Sequence, residues 1–449
     1  MNENLKLNIS YKQILQMSLP ISFAILVPQF NFLINSFFLS QLGPGFLGAA
    51  GITGVYYLIF SVIGFGLNNG LQALISRRAG QDRSKEIGTL FMQSIYIILA
   101  IAALGIIVTY VFSPMLFSSF TDNGLSNQAT GFLKIRIIGL PFLYLYQMRN
   151  ALLVGTNQSK LLIWGTLSET ISNIVLDYGL IFGNFGMPKL GFNGAAYASV
   201  TAEIIGMVVV FLIIRAKGMN NRFLLFKSFK FNWEHCKTIL VQSSPLILQY
   251  AISIISWEYF FILISHDGRM ELDISQLMRL IFGFYGIFIW AFAATANTMV
   301  SNIIGQGLQS QVLTLIKRIV ILSASSTLII FIPAQLFTKE ILSLISSDPS
   351  FVDAATPVLR IVSGAILMMS VSSVCLNSVS GTGNTQINLL IEAFTIILYC
   401  LYVYFVMEVY NLSLAWGWAS EWVYWTTIFV FSFAYLKSGR WNNLKSRSV

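Results

Sequence analysis

Six carboxylates fall inside stretches otherwise made for lipid: Glu169, Asp177, Glu203, Glu258, Glu392 and Glu421. An acid near the bilayer centre costs roughly 2.5 to 3.5 kcal/mol on insertion scales, so each needs a chemical reason to be there. Asp177 is the sharpest case, because it interrupts the run Ile171-Ser-Asn-Ile-Val-Leu-Asp-Tyr-Gly-Leu-Ile-Phe-Gly183. Glu169, Asn173 and Asp177 recur at every fourth position, which on a helix lines one face. Ser199 and Glu203 repeat that spacing in the next apolar segment. If the two segments run out and back, Asp177 comes level with Ser199, and Glu169 meets Glu203 nearer the midplane. Burial favours the neutral acid, while a bound cation or a nearby donor favours the anion. A carboxylate held between those tendencies can exchange H⁺ or Na⁺ against another cation. Asp177 is therefore expected to be a coupling-ion carboxylate, with Asn173 and Ser199 as oxygen ligands. Glu169, Glu203 and Glu258 are further candidates for binding a proton or a cationic substrate. The alternative for Asp177 is an acid kept neutral or hydrogen-bonded, tying its helix to the first one.

The elements that must position these groups follow from composition. Of 449 residues, 56% are hydrophobic and 10% charged, against roughly 25% charged in soluble domains. The chain is expected to be an all-α integral membrane protein. Segments of about 20 apolar residues or more, enough to cross a bilayer, fall near 12–39, 50–76, 87–118, 130–154, 160–183, 191–215, 236–264, 272–302, 311–337, 353–379, 386–408 and 413–437. Twelve spans put both termini on one side. Nineteen Lys and Arg residues lie in the terminal segments and the connections on that side, against three opposite, Lys189, Arg269 and Lys339. This asymmetry makes the first side cytoplasmic, and the inner membrane is the expected location. It also accounts for the net charge of +9 without any nucleic acid. The polar start, Met1 to Gln16, leads into a segment too long for a signal peptide, so the first span is expected to stay. Three cysteines and two histidines are too scattered for a disulfide framework or a metal site. No cofactor is expected, and no metal beyond Na⁺ at Asp177.

The interval from Lys217 to Lys237 is polar and falls midway. It divides the sequence into a six-helix lobe at 1–216, a cytoplasmic linker at 217–237, and a second six-helix lobe with a short basic tail at 238–449. Landmarks repeat at an offset of about 225: Ser18-Leu-Pro20 with Ser243-Ser-Pro245, and Ser76-Arg-Arg-Ala-Gly-Gln81 with Ser301-Asn-Ile-Ile-Gly-Gln306. Phe132-Leu-Lys-Ile135 pairs with Val358-Leu-Arg-Ile361, and Gly155-Thr-Asn-Gln-Ser159 with Gly381-Thr-Gly-Asn-Thr385. With six spans per copy both halves keep one orientation, a parallel repeat about an axis along the membrane normal.

Pro20, Phe37-Phe-Leu-Ser-Gln-Leu-Gly43, Gly70-Leu-Gln-Ala-Leu-Ile-Ser-Arg-Arg-Ala-Gly80, Ile135-Arg-Ile-Ile-Gly-Leu-Pro141, Asn173-Ile-Val-Leu-Asp-Tyr178 and Gly381-Thr-Gly383 together resemble the multidrug and toxic compound extrusion (MATE) family over essentially the whole chain. The resemblance implies a two-lobe antiporter working by alternating access, exporting organic cations or drugs in exchange for H⁺ or Na⁺, and expected to act as a monomer. It implies a helix-5 acid and amide at Asp177 and Asn173, and Ser199 sits where the family usually has Thr. One position departs from the pattern. Where many members carry a helix-1 acid, four residues before Leu39-Ser-Gln-Leu-Gly43, this chain has Asn35, which neither exchanges a proton nor brings charge. Asn35 is kept as an oxygen ligand of the coupling ion. The closest rival reading is a lipid-linked oligosaccharide flippase of the same superfamily, which would need basic rather than acidic mid-span residues. A membrane transferase would need a clustered His or acidic loop site, and the sequence has none.

The other in-span charges have simpler readings. Glu258 and Arg279 lie at matched depth near the outer boundary and are expected to pair. Glu392 and Glu421 could each face a cavity. Lys134, Arg136 and Arg360 lie near outer span ends and Arg149 near an inner one, where long side chains reach water. Pro20 and Pro28 are eight residues apart on the first span. A proline inside a helix frees a carbonyl and kinks the axis, so bending of that span is expected to answer the charge on Asp177.

Overall fold

The structure, a computed structural model, describes residues 5–120, 123–227 and 230–443. The end of the expected basic tail, 444–449, lies outside the described residues. In chain order the helices are α1 (Tyr11–Ser40), α2 (Pro44–Gly80), α3 (Ser84–Phe120), α4 (Asn123–Arg136), α5 (Leu140–Gly155), α6 (Leu162–Phe182), α7 (Phe192–Ala216) and a short α8 (Met219–Arg222). Then come α9 (Trp233–Asp267), α10 (Arg269–Gly305), α11 (Val312–Leu336), a short α12 (Thr338–Ser343), α13 (Pro349–Gly381), α14 (Thr385–Tyr404), a short α15 (Leu414–Trp418) and α16 (Ser420–Ser438). Each of the twelve expected spans lands on this series. The fourth is made of two pieces, α4 and α5, joined by a tight turn at Ile137–Gly139, with Pro141 in the first turn of α5, where its missing N–H has no partner to lose.

Ten of these stretches are long and apolar enough to cross a membrane by length and composition. The two that fall short, α6 and α16, are the ones whose polar residues lower their hydropathy: Glu169, Asn173 and Asp177 in one, Glu421 in the other. With them the multi-pass protein has twelve spans. Helix ends follow ordinary stereochemistry: α6 stops at Gly183, whose φ of 83° suits glycine and whose N–H donates to the Gly179 carbonyl at 2.8 Å.

The chain divides into two compact units. The first is Phe23–Ser243 with the N-terminal residues to Leu5, and the second is Ser244–Val449 with Lys6–Ser22. In the first unit, helices approach closely through small residues. A Cβ added to Gly194 on α7 would stand 2.5 Å from the Leu180 carbonyl oxygen of α6, and one on Gly206 would stand 3.0 Å from the Glu169 Cβ. Such contacts replace the hydrophobic driving force that lipid cannot supply between helices. On α5, the Tyr144 hydroxyl donates to the Phe60 carbonyl of α2 at 2.8 Å.

In the second unit, the fully buried Trp418 packs edge-on against Phe260, ring centroids 5.3 Å apart, and its indole N–H donates to Ser275 Oγ at 3.1 Å. The extended segment before α1 is clipped to this unit. Leu7 N–H donates to Asn302 Oδ1 at 2.9 Å, Gln306 Nε2 donates to the Leu7 carbonyl at 2.8 Å, and Arg318 donates to the Ile9 carbonyl at 2.8 Å.

Candidate functional site

The acid stripe of α6 lies between α1 and α7. On the α1 side, Asn31 Nδ2 donates to Asn173 Oδ1 at 2.7 Å. One or two turns on, Phe38 of α1 meets Phe182 and Tyr178 of α6, at 5.9 and 6.1 Å between ring centroids. Two contacts advancing in the same direction mean that α1 and α6 run parallel. Asn35, one turn beyond Asn31, therefore stands level with Asp177, one turn beyond Asn173. On the α7 side the pairs Gly194 with Leu180, Gly206 with Glu169, and Gly165 with Val210 fix an antiparallel register. It brings Ser199 within a turn of the level of Asp177, and Glu203 level with the segment between Glu169 and Asn173.

Within this frame Asp177 is 0% exposed, and neither carboxylate oxygen has a hydrogen-bond partner among the described residues. The Nδ2 of Asn173 and the Oδ1 atoms of Asn31 and Asn35 are likewise buried and without partners there. Buried polar groups are normally satisfied, so a cluster of this kind calls for an explanation. Ser199 is half-buried and makes no hydrogen bond among the described residues. The donor set is all oxygen, apart from amide nitrogens, which suits a hard cation or a proton on the carboxylate. Asn31 was not singled out from the sequence, although its spacing four residues before Asn35 was there to be read.

Glu169 packs over Gly206. Glu203, considered as a proton or substrate carboxylate, is instead engaged. Arg136 Nη2 reaches its Oε1 at 2.5 Å and Nη1 its Oε2 at 3.0 Å, with side chains 18% and 5% exposed. The guanidinium also stacks 4.1 Å from the centre of the Tyr57 ring. The expectation that Arg136 reaches water at the outer interface is thereby corrected. The tight turn after α4 brings Gly139 beside the pair, where an added Cβ would stand 2.4 Å from Glu203 Oε2. The missing side chain leaves room for a two-pronged bond inside the protein. Arg149 is corrected too, because it is buried, donates to the Met207 carbonyl of α7 and lies 5.3 Å over Phe211. Lys134 lies 5.7 Å over the Tyr110 ring, and the exposed Arg360 donates to Thr338 Oγ1 at 3.3 Å.

In the second unit, Arg279 Nη2 lies 2.5 Å from Glu258 Oε1, both side chains well over a third exposed or close to it, with the guanidinium 5.0 Å over Trp257 and 4.9 Å over Phe261. Glu392 is buried and accepts hydrogen bonds from Ser253 and Tyr424. Glu421 is buried and accepts from Trp425 Nε1 at 3.0 Å. Pro20 and Pro28 both lie inside α1, which runs on as one helix through them.

The family model MatE matches residues 20–179 and again 245–405, two segments that begin 225 residues apart. That spacing is the offset seen in the repeated landmarks. The chain is 22% identical over 422 residues to "Probable multidrug resistance protein NorM" of Thermotoga maritima, covering 91% of this chain and 88% of that protein. It is 27% identical over 224 residues to the protein of the same name in Bacillus cereus, about half of either chain, 49%. A crystal structure described as MATE in complex with MaL6 superposes with a TM-score of 0.87 at 18% identity, covering 98% of this chain and 97% of that one, which shows a shared fold. With a family model matched twice over most of its length, the chain belongs to the MatE family of multi-pass membrane transporters, which are not enzymes.

Proposed function

We propose that the chain is a secondary antiporter that exports organic cations or drugs across the inner membrane by alternating access, in exchange for H⁺ or Na⁺. Both termini would lie in the cytoplasm, as the distribution of Lys and Arg supports. Asp177 is the coupling-ion carboxylate, with Asn173, Asn35 and Ser199 supplying oxygen ligands. The observation that carries this reading is a fully buried carboxylate with no donor on either oxygen among the described residues, level with buried amides of which Asn31 Oδ1, Asn35 Oδ1 and Asn173 Nδ2 also lack partners there.

The coupling follows from electrostatics. An ionised carboxylate left alone in a low-dielectric interior costs several kcal/mol. Asp177 is therefore stable when a proton or a cation neutralises it, and unstable when empty. A cationic substrate can replace the coupling ion, but the site resists being vacated without a replacement, which is what exchange requires. Since Asn35 brings no charge, one carboxylate carries one monovalent ion or one proton at this site. Glu169, which is partly accessible, is a second place for a proton or for substrate charge. Bending of α1 at Pro20 and Pro28 would carry the change of charge to the rest of the lobe.

The test is ethidium efflux from proteoliposomes under an imposed Na⁺ gradient and then an imposed H⁺ gradient, for wild type and Asp177→Asn. Efflux driven by one gradient in the wild type and lost in the variant is expected. Equal efflux in both proteins would reject the role of Asp177. Absence of efflux for any organic cation would turn the reading towards a lipid-linked oligosaccharide flippase.

A further inference from the structure

Asp177 has no hydrogen-bond partner among the described residues. The second unit holds an acid in the opposite condition, and nothing in the proposed exchange uses it. Glu392 on α14 is 1% exposed. Its Oε1 accepts from the hydroxyls of Ser253 on α9 and Tyr424 on α16, and its Oε2 accepts from Gln249 Nε2 on α9 at 3.5 Å. All three donors are neutral. Among the described residues no Lys, Arg or His pairs with Glu392; the ion pairs that involve the neighbouring α9 and α10, Glu258 with Arg279 and His266 with Glu408, are each closed on themselves. Tyr424, one of the donors, packs against the apolar cluster of Leu376, Ile391 and Ile428.

A buried acid fixed in one protonation state needs a shell suited to that state only. This shell suits both. With the carboxylate ionised, Ser253, Tyr424 and Gln249 all donate to it. With a proton on Oε2, the hydroxyls go on donating to Oε1, and the Gln249 amide turns over so that its oxygen accepts the new O–H. An amide presents either a donor or an acceptor by such a turn.

Next to this shell is a second buried acid with further hydroxyls beside it. Glu421 lies three residues before Tyr424 on α16, is 4% exposed and takes its donor from Trp425. The hydroxyls of Ser420, its chain neighbour, and of Tyr399, whose ring lies 5.7 Å from that of Tyr424, are buried beside it. Ser253 Oγ and Tyr424 Oη are 3.4 Å apart and can pass a hydrogen between them.

We propose that Glu392, with Ser253, Tyr424 and Gln249 as its shell and Glu421 beside it, is a second proton-binding centre, held within the second unit and separate from Asp177. The reaction is a simple balance: one proton joins the carboxylate to give the acid, no bond to carbon changes, and Gln249 reorients. Its use in transport rests on the antiport reading, but the binding itself does not.

The experiment is infrared difference spectroscopy of the purified full chain in proteoliposomes, stepped from mildly alkaline to mildly acidic solution without substrate. Titrating buried carboxylic acids appear as carbonyl bands. Wild type and Asp177→Asn are expected to share one such band, which Glu392→Gln loses and Glu392→Asp restores. Tyr424→Phe and Ser253→Ala keep the acid but remove one hydrogen bond each, so each should displace that band. If Glu392→Gln does not reconstitute, the displacement in these two variants decides. Identical titrating spectra in wild type and Glu392→Gln, or no displacement in Tyr424→Phe and Ser253→Ala, would overturn the proposal. Because no substrate is present, failure here is distinct from failure of ethidium efflux, which bears on the antiport reading alone.

Discussion

Breaking the buried pair between Arg136 and Glu203 should have unequal consequences according to which partner is removed. Both nitrogens of the guanidinium fork are bonded, at 2.5 and 3.0 Å, and the side chains are 18% and 5% exposed. Removing one member of such a pair is destabilising by about 3–5 kcal/mol, because a buried charge remains uncompensated. In Arg136→Met the remaining group is a carboxyl, which can take up a proton and become neutral. The expected loss is therefore near the lower end, about 3 kcal/mol. In Glu203→Gln the remaining group is a guanidinium, which cannot be deprotonated in a protein. Its stacking on Tyr57, at 4.1 Å, offsets only about 1–2 kcal/mol, and that contact already exists in the wild type. The expected loss is then near the upper end, about 5 kcal/mol. The double variant Arg136→Met with Glu203→Gln removes both charges and should recover most of the loss, since no buried charge is then left uncompensated. Unfolding of the purified chain in mixed micelles, titrated with a denaturing detergent, measures all four proteins as a double-mutant cycle. Additive single losses would show that the two side chains are not coupled. A larger loss for Arg136→Met than for Glu203→Gln would refute the charge argument even if coupling were found.

Three other variants probe different links. Gly194→Ala places a methyl group 2.5 Å from the Leu180 carbonyl oxygen, a backbone atom that cannot swing away; a loss of about 1–3 kcal/mol is expected in the same unfolding assay, and unchanged stability would mean that α6 and α7 are less tightly packed than described. Glu258→Gln and Arg279→Gln should each change stability by no more than about 1 kcal/mol, because their side chains are 44% and 36% exposed and solvent screens such pairs. A loss several times larger would show that this pair is shielded by lipid or substrate. Pro20→Ala and Pro28→Ala should slow ethidium efflux without lowering the folded yield, and transport at the wild-type rate would remove the support for bending of α1.

What the sequence made legible depends on how local each feature is. The twelve spans and the duplication needed only apolar run lengths and repeated landmarks, and both were readable. So was the level of Asp177 with Ser199, because α6 and α7 are consecutive and the turn between them fixes their register. The partner of Arg136 was not readable. Its position near the end of α4 suggested a side chain reaching for water, while Glu203 stands 67 residues later, and only the packed unit brings α4 against α7. The break at Ile137–Gly139 was hidden for a related reason: Gly139 and Pro141 permit a tight turn, but an apolar segment of that length reads equally well as one helix.

The same limit governs the acids themselves. Asp177 and Glu392 look alike in the sequence, each a single carboxylate in an apolar run. Their chemistry diverges through neighbours on other helices. Neither oxygen of Asp177 has a donor among the described residues, so an arriving ion finds both oxygens free. Glu392 meets two hydroxyls and an amide, so its oxygens are already engaged and only the smallest cation, a proton, can be added without expelling a ligand. A buried acid in a membrane span is thus a functional signal wherever it occurs, but what it binds is decided by the donors that tertiary packing sets around it. In the proposed scheme Asp177 carries the exchanged ion, H⁺ or Na⁺, and Glu392 binds protons alone.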